Sequence, residues 1–330
     1  MKILKPYFIL FFIVFATNSY GETKNKKNNP IQTILISYEN DSIYGDDENY
    51  TNGVQALVTT KNNETSKENK YISKILGIND KTSHNYSFGF GQKIYTSSDI
   101  DISEPMLNDR PYAGYLYAFL NKNIWHDENI IDSIGFYAGI TGEISLGESI
   151  QKTIHEWIGS PTPEGWNNQL DNEFLFMVTW MRTLKYGNPK VNEYDWYLIP
   201  RFGFDLGTPF TDAKAYIEYR YGWNLDDDLI ANKIQTPSLG IRRSNSSDWS
   251  YYIFFGAEAD VVFYNTFLDK SIPGQKKYID KEWLRYELTV GLNLRYKNFY
   301  IKNSNIYMSK EYKQQDDPQI IFSITTGFLF

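Results

Sequence analysis

Long stretches of this chain alternate apolar and polar residues with a period of two, the spacing of a half-buried strand. In "EWLRYELTVGLNLRY", Leu284, Tyr286, Leu288, Val290, Leu292, Leu294 and Tyr296 share one face, while Arg285, Glu287, Thr289, Asn293 and Arg295 share the other. "AKAYIEYRYGWN" sets Ile217, Tyr219 and Tyr221 against Lys214, Glu218 and Arg220, and "YYIFFGAEADVVF" sets Ile253, Phe255 and Val261 against Glu258 and Asp260. Twelve such runs fall near 32–40, 52–60, 84–94, 112–123, 131–142, 172–184, 194–206, 212–224, 249–263, 283–296, 298–308 and 318–330. A further stretch at 234–243 is assigned to a connection, because Pro237 interrupts it. Pro200 inside the seventh run points to a bulge there.

A β-sandwich also alternates, so length has to choose. These runs exceed the roughly 5–6 residues of a common globular strand and suit the roughly 9–11 of a tilted membrane strand. An aromatic apolar face then meets lipid and its interfaces, and the charges point into a polar lumen. The 27 Tyr, 21 Phe and 8 Trp agree with that use. The chain closes on "IIFSITTGFLF", with Phe322, Ile324, Thr326, Phe328 and Phe330 in one parity. A terminal aromatic on an alternating strand is the kind of signal read by a barrel assembly machinery. In a soluble protein that strand would be an unprotected edge. The expected fold is all-β: a twelve-stranded antiparallel transmembrane β-barrel. The even count agrees with single-chain bacterial barrels.

One segment has a helical period instead. "SLGESIQKTIHEWIG" places Ile150, Ile154, Trp157 and Ile158 on one stripe, with Ser145 and Glu148 spaced as a capping box and Gly159 as a stop. It predicts a short amphipathic helix in the fifth connection, which is an extracellular loop if the chain starts in the periplasm.

The first residues change the picture of where the chain goes. Lys2 and Lys5 precede an apolar run from Tyr7 to Ala16, and Ser19 and Gly21 are small. This is the layout of a secretory signal, too short to span a bilayer as a helix. The expectation is a leader over 1–21, cleaved after Gly21, and one barrel domain over 22–330. The chain has no Cys, so it has neither disulfides nor thiolate nucleophiles or ligands. Its 33 Lys and Arg stand against 40 Asp and Glu, and loss of Lys2 and Lys5 makes it more acidic still. That balance argues against a nucleic-acid partner.

Strands of an up-and-down barrel alternate in direction, so odd-numbered connections share one rim. The first holds Asn40, Asp41, Tyr50 and Thr51; the third holds "NDRPYAG" from Asn108 to Gly114; the fifth holds the helix with Gln151 and His155, four residues apart. Singly each has an ordinary reading: a turn starter, a loop ion pair, a packed imidazole. Together they offer a general base, with water as the nucleophile because no G-x-S-x-G elbow or Cys is present. Asp41, with oxygens from Asn40 and Thr51, offers the hard ligands that Ca²⁺ prefers.

The blocks "ENDSIYGDDENYTNG", "IYTSSD", "DRPYAGYLY" and "GEISLGESIQKTIHEWIGSPTPEGWNNQL" resemble those of the outer-membrane lipid A 3'-O-deacylase family, over essentially the whole chain after the leader. The resemblance implies a twelve-stranded barrel in the bacterial outer membrane, acting on lipid A of lipopolysaccharide with Ca²⁺. It implies Asn40, Asp41 and Thr51 at the metal and active site, Gln151 in support and His155 as the base. Two other readings accompany it: a phospholipase or general lipid esterase using the same site, and a non-enzymatic barrel or channel.

Overall fold

The computed structural model describes residues 30–41, 48–64, 83–242, 247–272, 274, 276 and 279–330. The expected leader, the acidic tip at 42–47 with Asp46 and Asp47, and most of the second connection lie outside these residues. Twelve long strands run in order: β1 Ile31–Asn40, β2 Asn49–Thr60, β3 Ser83–Thr96, β4 Ala113–Trp125, β5 Ile130–Thr141, β6 Glu173–Leu184, β7 Tyr194–Gly207, β8 Phe210–Trp223, β9 Trp249–Asn265, β10 Leu284–Tyr296, β11 Phe299–Met308 and β12 Gln319–Leu329. Each pairs antiparallel with its chain neighbours, and β12 pairs with β1 from Thr33↔Leu329 to Asn40↔Phe322. The sheet therefore closes and the terminal strand is no edge. The expected twelve-stranded antiparallel barrel is the fold.

Burial runs opposite to that of a water-soluble protein. Along β10 the apolar face is exposed (Leu284 65%, Leu288 52%), while Glu287, Asn293 and Arg295 are buried. The exposed wall belongs to lipid and the charged residues to the lumen. No helix among the described residues is long and apolar enough to cross a membrane.

The lumen is partly filled by an internal plug, beside which a cavity of about 90 Å³ remains, lined by Glu39, Lys93, Asp205, Lys214, Lys233 and Arg285. The connection from β8 to β9 folds inward, burying Leu225, Leu229, Ile230, Ile234, Leu239 and Ile241. Two short strands, Asp227–Asp228 and Ile241–Arg242, pair inside it. The stretch assigned to a connection because of Pro237 is thus part of this internal plug. Its charges are matched by the wall: Lys185 Nζ donates to Asp227 at 2.7 Å, and Lys233 Nζ reaches Glu258 at 2.5 Å and Glu287 at 2.7 Å.

Two local expectations are corrected. Pro200 makes no bulge. Its β8 pairing is continuous, and on the β6 side Thr183↔Arg201 and the isolated bridge Tyr186↔Leu198 keep one register. Proline lacks an N–H, so the ladder is interrupted there without slipping. Ser145 and Glu148 form no capping box at helix α1, Gly147–Ile158. Its N-cap is Leu146 in the left-handed region, at φ 61°, with no side-chain cap. Ser145 lies in a preceding 3₁₀ turn, Glu143–Ser145, and its hydroxyl donates to Gly142 O at 2.6 Å; Glu148 instead pairs with Lys152 at 2.8 Å. Gly159 does end the helix, at φ 73°.

Candidate functional site

The candidate residues gather at the rim farthest from the termini, with α1 on the outer face of the wall. In β3 the exposed Phe88 and Phe90 show that even-numbered side chains point outward, yet Gln92, Ile94 and Thr96 in the same parity are buried. The helix covers them. α1 packs on β3 and β4, and Gln92 Nε2 donates to Ser145 O at 2.6 Å. Gly114, opposite Ile94 in the ladder, makes this approach possible, since a Cβ there would stand 2.1 Å from Ser145 Oγ and 3.0 Å from Gly147 Cα. Ile94, Tyr112, Trp166 and the half-buried Ile150 form a small apolar core under the helix, separate from the lumen.

Next to this cover stand the ends of β1 and β2. The β2–β3 ladder shifts register between Tyr50 and Asn52, so Thr51 is an extra residue and the strand bulges. The bulge sends the Tyr50 hydroxyl to Glu39, at 2.6 Å, and the Thr51 hydroxyl to that of Thr96, at 2.7 Å. Asn40 Nδ2 donates to Thr51 O at 3.1 Å, which directs its Oδ1 away as an acceptor. Asp41 is fully buried; its Oδ2 accepts from Glu48 N at 2.9 Å and from Gln319 Nε2 at 3.1 Å. Asn40, Asp41 and Thr51 are therefore brought together, and β3 lies between them and α1.

On α1, Gly147, Gln151 and His155 follow at four-residue spacing and are all buried against the barrel. His155 Nδ1 lies 2.6 Å from Pro161 O. A carbonyl only accepts, so the proton of the neutral ring sits on Nδ1 and the lone pair on Nε2. Gln151 Oε1 accepts from Trp166 Nε1 at 2.8 Å, which fixes the amide's orientation. Among the described residues Gln151 Nε2 has no hydrogen-bond partner, although the side chain is buried. Trp166 thus packs the loop and supports the site.

The "DRPYAG" loop is a clamp. Arg110 pairs with Glu311 at 2.8 Å and lies over the Tyr95 ring at 4.8 Å, while Asp109 accepts from Tyr312 OH, whose oxygen lies 2.9 Å from Asn49 Oδ1. Burial works to raise the pKa of Glu311, but Arg110 and Arg285 outweigh it and hold the carboxyl below its ordinary value. Glu311 and Tyr312 in the eleventh connection, and Gln319 at the start of β12, escaped notice in the sequence, where nothing sets them apart from ordinary polar residues.

The donor set at Asn40, Asp41 and Thr51 is all oxygen and includes one carboxylate, which fits a hard cation such as Ca²⁺ with water completing its shell. A second acidic group, Glu258, Asp260 and Glu287 in the lumen, has ligand atoms within 4.8 Å of one another and could hold a metal. There Lys233 already bridges two of the three carboxylates.

A family model described as "Outer membrane protein LpxR" matches residues 7–330. This chain belongs to the LpxR family. Its fold is similar to that of LpxR from Salmonella typhimurium at a TM-score of 0.71 and 19% identity, covering 90% of this chain and all of that one. The β domain of the Bordetella autotransporter BrkA aligns over 92% of this chain and all of its own, at 7% identity and a TM-score of 0.46. No curated protein matches. As an LpxR-family protein, the barrel resides in the outer membrane, in contact with its lipid.

Proposed function

We propose that this LpxR-family barrel is an outer-membrane ester hydrolase that removes the 3'-linked acyloxyacyl chain of lipid A. The observation that carries the reading is that Asn40 and Thr51 face outward from the wall and that α1, with Gln151 and His155, packs on that same lipid side rather than in the lumen. A lipid can reach that face without leaving its leaflet. Trp157 and Phe174, exposed at 70% and 74%, continue the apolar wall beside the helix.

In this mechanism His155 Nε2 takes a proton from water, and the resulting hydroxide attacks the ester carbonyl. The Nδ1–H held by Pro161 O keeps the ring in the tautomer that can do so. Gln151 Nε2, a buried donor whose amide is oriented by Trp166, points to a role in binding the carbonyl oxygen as it gains charge. The proton on His155 then passes to the leaving alkoxide, giving a free acid and an alcohol. Asn40, Asp41 and Thr51 would hold Ca²⁺, which when bound supplies positive charge for the same oxygen.

The test is incubation of the detergent-folded barrel with lipid A and Ca²⁺, followed by mass spectrometry. Loss of the 3'-linked chain is expected from the native protein and not from His155→Ala. Full activity in that variant would remove His155 from the chemistry. Hydrolysis of phospholipid with lipid A left intact would replace the substrate assignment by a lipase.

A further inference from the structure

The wall that carries the site is one strand thick, and its two faces are held by different structures. Asn40 and Thr51 belong to the site, but their chain neighbours Glu39 and Tyr50 turn into the lumen. Glu39 is buried there with three partners: Tyr50 OH donates to Oε2 at 2.6 Å, and Oε1 accepts from Ile234 N at 2.7 Å and from Ser323 Oγ at 3.4 Å. Ile234 is at the tip of the internal plug. The next amide, Gln235 N, donates to Gln55 Oε1 on β2 at 3.0 Å, and Gln55 in turn accepts from Tyr117 OH at 3.0 Å. Two consecutive N–H groups of the tip are thus gripped by β1 and β2, the strands whose ends form the site.

The fit is close. Glu39 lies opposite Gly53 in the ladder, and a Cβ on Gly53 would come within 2.4 Å of Ile234 Cδ1 and 2.1 Å of Tyr50 OH. Gln235 adopts φ 66°, a left-handed conformation uncommon for a side-chain-bearing residue, at the point where the tip turns. Below the tip the plug is fixed independently: Ser87 Oγ donates to Ser238 O at 2.6 Å, Lys302 Nζ donates to Ile230 O at 3.2 Å, and Lys233 bridges Glu258 and Glu287. A tip anchored at both its base and its end can transmit position rather than merely fill space.

The geometry points to Glu39 as a positioning residue for the reaction. Held by the plug tip at Ile234, it braces the β1–β2 rim from the lumen side and so fixes Asn40 and Thr51 on the lipid side, with Asp41 next to them at the rim. Its catalytic consequence rests on the hydrolase reading above, but the brace itself does not. Glu39 never meets substrate; it acts through Tyr50 and the backbone at Asn40.

Hydrogen–deuterium exchange on the folded barrel tests the brace directly, using Glu39→Ala, Gln55→Ala and Ile234→Pro, which deletes the donor N–H. Amides of residues 38–41 and 48–53 should exchange about tenfold faster or more in each, the scale of one lost buried hydrogen bond, with β7 to β10 unchanged. With lipid A, kcat should fall by a similar factor while KM stays within about twofold, since substrate contacts are intact. Glu39→Gln keeps an acceptor oxygen for Ile234 N and should restore most of both. Native protection of the rim in the folded Glu39→Ala and Gln55→Ala proteins would overturn the proposal, as would a rise in KM at constant kcat. If the native barrel leaves lipid A intact but the rim still loosens in the variants, the brace stands and the hydrolase reading falls.

Discussion

Replacing Trp166 by Phe would test whether α1 is seated as a unit separable from the barrel. The indole is buried at 1% exposure, donates to Gln151 at 2.8 Å and packs edge-on against Tyr112 at 5.2 Å. A Cβ on Gly147 would meet its ring at 2.7 Å, so the first turn of α1 rests on it. Phe keeps the stacking face but deletes the N–H and part of the ring. The buried Gln151 oxygen then loses its donor, at about 1–3 kcal/mol, and the missing ring atoms leave a small void worth about 1 kcal/mol more. About 3 kcal/mol in total corresponds to roughly a hundredfold faster exchange for the α1 amides that open with the helix. The barrel ladders make no use of Trp166, so the unfolding temperature of the barrel should stay where it is. Deacylation should fall, because the Gln151 amide is no longer oriented. Unchanged α1 protection in a folded Trp166→Phe protein would refute the claim that this contact seats the helix, and a lowered barrel transition would refute its independence.

Two further outcomes follow from the rim. Asp41→Ala should abolish Ca²⁺ binding measured by calorimetry on the folded barrel, because it removes the sole carboxylate of the Asn40, Asp41 and Thr51 set; retained affinity would move the ion elsewhere, for which the Glu258, Asp260 and Glu287 group is the place to look. Glu311 has a depressed pKa in the folded state, so its ionised form adds stability above its ordinary pKa, and that contribution is lost as pH falls through the lower folded value. Exchange of the clamped loop around Arg110 should therefore be constant near neutrality and rise only below about pH 4, and Glu311→Gln should be looser at neutral pH without that acid step.

The strands were legible because membrane barrels write alternation over long runs. Leu284 to Arg295 could be assigned to two faces from the sequence, and the exposed and buried sets follow that division, with Arg285 and Leu294 half-buried. Parity of connections placed Asn40, Asp41, Thr51, Gln151 and His155 on one rim, where they are found. Which side of the wall they occupy was not legible. Asn40 and Thr51 owe their outward position to parity and to a one-residue bulge at Thr51, and a bulge depends on a partner strand far away in the chain. The plug was invisible for a similar reason: Leu229, Ile230 and Ile234 read as scattered apolar residues in a polar connection until the lumen gives them something to pack against. Pro200 and the Ser145 cap show the limit of local rules. Proline interrupted one side of a ladder that the other side held in register, and Ser145 was needed beneath the helix instead of at its end.

The plug in the lumen bears on the channel reading. A charged lumen is what a porin would show, but here many of the charges are paired with one another. Lys185 pairs with Asp227 and Lys233 with Glu258 and Glu287, joining wall to plug, while Lys214 and Asp205, 2.8 Å apart, pair within the wall. Such pairs are costly to break once buried, because a single survivor would be an uncompensated charge. The barrel interior is thus better suited to rigidity than to passage. A rigid interior is what a site on the outer surface of a single-layer wall requires, since strands facing fluid lipid on one side have little else behind them to hold Asn40 and Asp41 still.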